Sequence, residues 1–322
     1  MGIKSVYCPY FRGKQYELIV LRETAPILSK SGFVPIIEPV NEQLRGLEKT
    51  LIALSHNKTD SVVIVNPQVG FFTSSSQPLI NFINNKFPSF EFVNFGFLLT
   101  ENTKTSDVLN FCKSSKREVT LIHAGFTQSN ELSEKLPLLT NIKRNVFFEE
   151  KCGKIYQGKF RNTNSNVLLR DGFNKKRNSD YPSSEFFSDL HITFDLEGMQ
   201  GFGDFLIVGD EFSESGGPAY AIAIHITYID DSRDNEMHIK HFKSDRQDSP
   251  KDPAGKFGEA LSKLIFNLNI EGNKILETDA IREFRDFHER SHYPGLGYVK
   301  KLSMKHHIEA LSDFFEKNGL NE

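Results

Sequence analysis

SVYCPYFRGKQYELIVLRETAPILSKSGFVPIIEP, residues 5–39, holds one whole strand–helix–strand unit. Residues 5–11 are a short, largely apolar run that predicts a strand. Residues 13–30 predict a helix, because Leu18, Leu21, Ala25 and Leu28 recur at the spacing that lines one helical face. Gly32 supplies the stop, and residues 33–37 predict a second strand that ends at Pro39. Strands that are apolar throughout, rather than alternating, suit a parallel sheet covered on both faces.

The same rhythm continues outward. Helices are predicted at 43–55, 78–87, 106–115 and 130–139, and strands at 62–65, 92–99, 119–123, 145–148, 167–169 and 205–208. About eight strands in alternation predict an α/β fold, a (β/α)8 TIM-barrel-like domain, with an open doubly wound sheet as the alternative. Two stretches break the pattern. Residues 151–166 are polar with no clear helix, and 170–200 form a long connection with one helix expected near 183–190. Beyond the barrel, AYAIAIHITY (219–228) and MHIKHF (237–242) flank a polar turn and predict a β-hairpin, followed by helices at 255–267, 279–289 and 298–318. The expected organisation is a barrel domain over 1–212 and a hairpin-plus-helix extension over 213–322, packed on the barrel.

Composition narrows the function classes. The chain has 322 residues, 38% hydrophobic and 25% charged, with a net charge of −3, which does not advertise nucleic-acid or membrane binding. Cys8, Cys112 and Cys152 form no CxxC pair, so neither a disulfide framework nor a structural zinc site is expected, and a reducing compartment is. The opening residues 1–11 lack the apolar core of a signal peptide, so none is expected, no run is long and apolar enough to predict a membrane span, and Val6 spoils a myristoylation motif at Gly2. A cytoplasmic protein is expected. The absence of Trp beside 29 Phe is a style of packing.

In such barrels the site gathers where strands end. That rule selects Lys14, Glu38 and Asp210 as candidate catalytic residues, and Arg12, Asn66, Gln68, His123, Glu150, Arg170, Asp171 and Asp204 as candidate binding residues. Thr100, Glu101, Glu149 and Glu211 occupy similar positions. A lysine among carboxylates orients an anion or serves acid–base chemistry. Glu38, Glu150 and Asp210 offer oxygen ligands for a divalent metal. For each, the plain alternative is a solvated strand end. His225 alternates with Ile224 and Ile226, and the plain reading is a sheet histidine. The other is a metal site with His238 or His241, although residues three apart on a strand face opposite ways. The glycine-rich stretches 201–205 and 214–218 match no P-loop, and GxSxG and HExxH are absent. Residues 144–177 are locally basic with Tyr156, Phe160 and Phe173 interleaved, which suits a nucleic-acid surface or a solvated loop set broken by Glu149, Glu150 and Asp171.

The opening Tyr7-x-Pro9, Lys14, Glu17 and Val20-Leu21, leading into Pro35-Ile36-Ile37-Glu38-Pro39, resembles the beta family proteins of bacteria and satellite phages and a smaller related bacterial group. Gly201-Phe202-Gly203-Asp204-Phe205 and Gly216-Gly217-Pro218-Ala219 before Ala223-Ile224-His225 extend the resemblance. The resemblance implies a barrel encoded in mobile or accessory loci, some of them anti-phage defence cassettes. It brings no reaction to place on Lys14, Glu38 or Asp204. Two functions are therefore expected. One is a component of a defence or toxin–antitoxin cassette that binds a protein partner from a neighbouring gene, or a phage trigger. The alternative is an enzyme of phosphate-ester or nucleic-acid chemistry.

Overall fold

The structure is a computed structural model that describes residues 6–88, 91–161, 165–214, 217 and 219–319. Ser5, Ser215, Gly216 and Pro218, which belong to stretches singled out above, lie outside the described residues, as do residues 162–164 of the basic stretch. The chain divides into two compact units. One runs to Arg170 and includes Thr193–Asp204; the other joins Asp171–Ile192 to Phe205–Gly319. In place of one boundary at 212 the chain passes between the units three times, after Arg170, Ile192 and Asp204.

The first unit alternates as expected. Its elements are β1 (Val6–Tyr7), β2 (Tyr10–Phe11), α1 (Gln15–Ser31), β3 (Ile36–Ile37), α2 (Arg45–His56), β4 (Ser61–Ile64), α3 (Gln77–Lys86), β5 (Val93–Leu99), α4 (Thr105–Ser114), β6 (Val119–His123), α5 (Ser129–Lys135), β7 (Ile142–Phe148), α6 (Lys154–Gly158) and β8 (Ser165–Arg170). After β9 (Ser184–Ser188) and α7 (Leu190–Thr193) the chain returns as β10 (Gly201–Asp204). All pairings within the nine-stranded sheet are parallel, in the order β1-β10-β8-β7-β6-β5-β4-β3-β2. β1 and β2 are one extended segment interrupted at Cys8-Pro9. Its first half pairs with β10 (Val6↔Gly201) and its second with β3 (Tyr10↔Ile36), so the segment joins both ends of the sheet. The result is a closed (β/α)8 barrel, a TIM-barrel-like fold, and not the open sheet.

Local chemistry sets the ends of α1. Gly32 adopts φ 66°, and the Phe33 amide donates to the Leu28 carbonyl at 2.9 Å, a Schellman closure that only a residue without Cβ enters cheaply. At the barrel seam Gly203 is required for another reason. A Cβ there would collide with the Cys8 carbonyl and press on Leu169. Gly203→Ala is expected to lower the unfolding free energy by about 3 kcal/mol, the upper range for overpacking, as read from urea unfolding. A loss below about 0.5 kcal/mol would mean that β10 does not close on β1 here.

Two elements differ from the sequence reading. The eighth strand is residues 201–204, not 205–208; Leu206 has φ 51° and the apolar run around it forms a turn. The helix expected near 183–190 is mostly strand β9, which pairs antiparallel with β12 (Glu236–Lys243) in the second unit. That pairing supplies backbone partners that local periodicity cannot announce.

The second unit is a three-stranded sheet, β11 (Ala223–Asp230), β12 and β9 in that order, with α8 (Pro253–Leu268), α9 (Asp279–Glu289) and α10 (Leu296–Lys317). Ile224, Ile226 and Tyr228 from β11 join Phe257, Leu261, Ile281, Phe284 and Leu302 in one apolar core. Asp252 caps α8, accepting from the Gly255 amide, and Thr278 caps α9, accepting from the Ile281 amide. No helix among the described residues is long and apolar enough to cross a membrane.

Candidate functional site at the barrel mouth

Side-chain parity decides which strand-end residues meet. The Tyr10 and Phe148 rings pack edge-to-face with centroids 5.7 Å apart. β2 and β7 are not neighbours in the sheet, so these rings meet across the lumen. With period two along each strand, Cys8, Tyr10 and Arg12 face inward, as do Arg144, Val146 and Phe148.

At the C-terminal end of the barrel this brings together Arg12, Glu38, Tyr10 and Gln68. Glu38 is 0% exposed. Its Oε2 accepts from the Tyr10 hydroxyl at 2.7 Å and from Arg12 Nη1, and its Oε1 accepts from the Gln68 backbone amide at 2.8 Å. Three donors hold the buried carboxylate, as a buried charge requires. The Arg12 guanidinium also lies 5.1 Å from the Tyr10 ring centroid, and Lys151 Nζ lies 5.1 Å from that of Phe148. Two cations therefore flank one aromatic pair. Lys14 is half-buried at the N-cap of α1, directly beyond this cluster in sequence. Tyr10 and the Gln68 amide escaped the sequence reading, whereas Lys151 belongs to the basic stretch 144–177; the Tyr10-x-Arg12 alternation was the available signal.

The remaining candidates of the first unit do not join them. The Asn66 carboxamide bonds the Leu98 backbone, donating to its carbonyl at 2.9 Å and accepting from its amide at 2.8 Å, so it stitches β4 to β5. His123 faces outward. Its Nδ1 accepts from the Tyr156 hydroxyl at 2.7 Å and its Nε2 donates to Asn145 Oδ1 at 3.1 Å; Asn145 in turn donates to Asn166. Packed against Phe147 and Phe160, it is fully buried, and burial pushes its pKa down to about 3. It is a neutral, structural histidine. Asp204 accepts from the Tyr7 hydroxyl at 2.7 Å, also away from the lumen. Arg170 makes a two-pronged contact with Glu149, at 2.5 and 3.0 Å, and Glu150 is exposed.

Asp171 and Asp210 belong to the second unit. Asp171 accepts from the Phe173 amide at 2.9 Å and the Asp210 amide at 2.7 Å, so it fixes a loop. Of the oxygen ligands expected for a divalent metal, Glu38 and Glu150 lie in the first unit and Asp210 in the second. Among the described residues no group of three or more His, Cys, Asp or Glu is arranged to hold one. On the hairpin, His225 and His241 are direct register partners with Nδ1 atoms 2.7 Å apart, and His241 Nε2 meets Glu185 at 3.1 Å. His238 instead meets Glu236 at 3.0 Å, as the three-residue spacing implied. Within the basic stretch Phe160 and Phe173 are buried, and Lys175 and Lys176 pair with Glu211 and Glu185. A cleft of about 1170 Å³ opens at the start of β5, lined by Gln77, Phe111 and Arg117 among others. The Arg117 guanidinium is committed there to the Val93 carbonyl at 2.8 Å and to Phe87.

No family model matches the chain, and no curated protein matches it. Among solved structures it is similar to a truncated form of 3-deoxy-D-arabino-heptulosonate 7-phosphate synthase from Thermotoga maritima, at 14% identity and TM-score 0.37, over 62% of this chain and 74% of that one. The barrel assignment rests on the closed strand order and not on this likeness.

Proposed function

We propose that this protein acts by recognition, as the partner-binding component of a cytoplasmic anti-phage defence or toxin–antitoxin cassette. The supporting observation is the mouth itself. Arg12 and Lys151 flank the Tyr10–Phe148 ring pair, and Glu38 is tied up by three donors. Such an arrangement is pre-organised to receive an acidic segment of a partner protein or phage trigger. For Glu38 to take a proton from a substrate, those bonds would have to break. The cassette context comes from the sequence resemblance alone.

Co-purification with the product of the adjacent gene tests the proposal. A stable complex is expected, weakened about tenfold or more by Lys151→Glu, the size of effect typical of a buried charged contact. Elution of this chain alone at micromolar concentration, or a complex indifferent to Lys151→Glu, would overturn it. The same cationic floor favours a second reading, an enzyme acting on a phosphate ester at the mouth. A Lys14→Ala or Glu38→Gln protein that still forms the complex but loses all biological activity would select that reading.

A further inference from the structure

The barrel lumen changes character along its length. A Cβ on Gly96 would meet Val62, Ile64 and Ile122, at 2.9, 3.1 and 3.2 Å, so these residues face inward and leave no room between them. Two residues earlier on the same strands, Asn94 and Thr120 face inward as well. Arg144 joins them by the parity of β7, and Thr120 and Arg144 are direct register partners. This lower layer is polar and buried: Asn94 is 3% exposed, Thr120 0% and Arg144 6%.

Four of its polar atoms are unmatched. Asn94 Nδ2, Thr120 Oγ1, and Nε and Nη1 of Arg144 have no hydrogen-bond partner among the described residues. All four atoms can donate. A guanidinium stays protonated at any relevant pH, and a buried cation without a counter-charge costs far more than an unmet neutral donor. Cys8, across the lumen, does not supply that charge. Arg144 acts to lower its pKa, but burial acts more strongly and pushes the thiol up to about 11, so it remains neutral.

We propose that the lower lumen is a binding site for a small inorganic anion of the chloride class, held by Arg144 with Asn94 and Thr120. The apolar layer around Gly96 closes the site above and restricts it to a compact ion. The anion completes the barrel core by meeting the charge of Arg144, independently of what the mouth binds.

Thermal unfolding of the full chain in sodium chloride and in sodium gluconate, at equal ionic strength, is the test; gluconate is too bulky for the lumen. The wild-type midpoint should be higher in chloride by about 3 °C or more, as expected for a ligand that binds only the folded state. Arg144→Met should abolish that difference. Equal wild-type midpoints in the two salts, or an undiminished chloride effect in Arg144→Met, would overturn the proposal. If Arg144→Met fails to fold, Thr120→Val and Asn94→Leu replace it. Each should shrink the chloride increment by about half or more, and unchanged increments in both would overturn the proposal.

Discussion

Glu38→Ala is expected to lower the unfolding free energy by about 3–5 kcal/mol, the cost typical of breaking a buried ion pair by removing one member. The carboxylate is 0% exposed and is the shared acceptor for Arg12, the Tyr10 hydroxyl and the Gln68 amide. Alanine removes that acceptor from all of them at once and opens a cavity where the side chain stood. Tyr10→Phe deletes a single donor and should cost about 1 kcal/mol. Urea unfolding of the two variants and of the double mutant measures the coupling. If the cluster is a unit, the double mutant costs less than the sum, because both substitutions remove the same Tyr10–Glu38 bond. A Glu38→Ala loss under about 1 kcal/mol would show that the mouth is not held this way.

Acidification should unfold this protein well before its carboxylates are protonated. Burial holds His123 at about 3 and His306 at about 4, whereas both return to the ordinary value near 6.5 in the unfolded chain. His306 is fixed as a neutral ring, with Nε2 donating to the Thr227 carbonyl at 2.8 Å and Nδ1 accepting from Thr278 at 2.8 Å. Between those values the unfolded state binds protons that the folded state refuses. The resulting stability is complete above the unfolded value and is lost as pH falls toward the folded values. Each histidine contributes about 1.4 kcal/mol per pH unit within its window, so the two together give a slope of roughly 3 kcal/mol per unit near pH 5. The His225–His241 pair adds in the same direction. Burial is the largest cause lowering both, with His241 and Lys300 acting on His225 and with Glu185 opposing the shift on His241. Urea midpoints measured from pH 7.5 down to 5 should fall steadily, and His123→Phe should flatten the curve. A flat profile over that range would refute the buried neutral histidines.

Much of the fold was legible because it is local. Apolar runs bounded by glycine and proline located the strands of residues 5–170, and 119–123 and 279–289 match the observed bounds of β6 and α9. The strands that failed had a long-range cause. β9 exists because β12 offers it backbone partners, and β10 can be glycine-rich because Cys8 approaches too closely for a side chain. Neither fact leaves a periodic trace.

The site was legible only as a set of positions. Alternation along a strand states that Arg12 and Tyr10 share a face, but not whether that face looks into the lumen. Strand-end polarity does not separate Glu38 from His123, because both are buried. The closed sheet settled it: Glu38 turns inward to Arg12 and Tyr10, while His123 turns outward to Asn145 and Tyr156. The sequence alone determined the alternation of strand and helix, since each element's periodicity lies within its own residues. Only the tertiary structure decided which charges meet, since facing direction and register are properties of the closed barrel and not of any one strand.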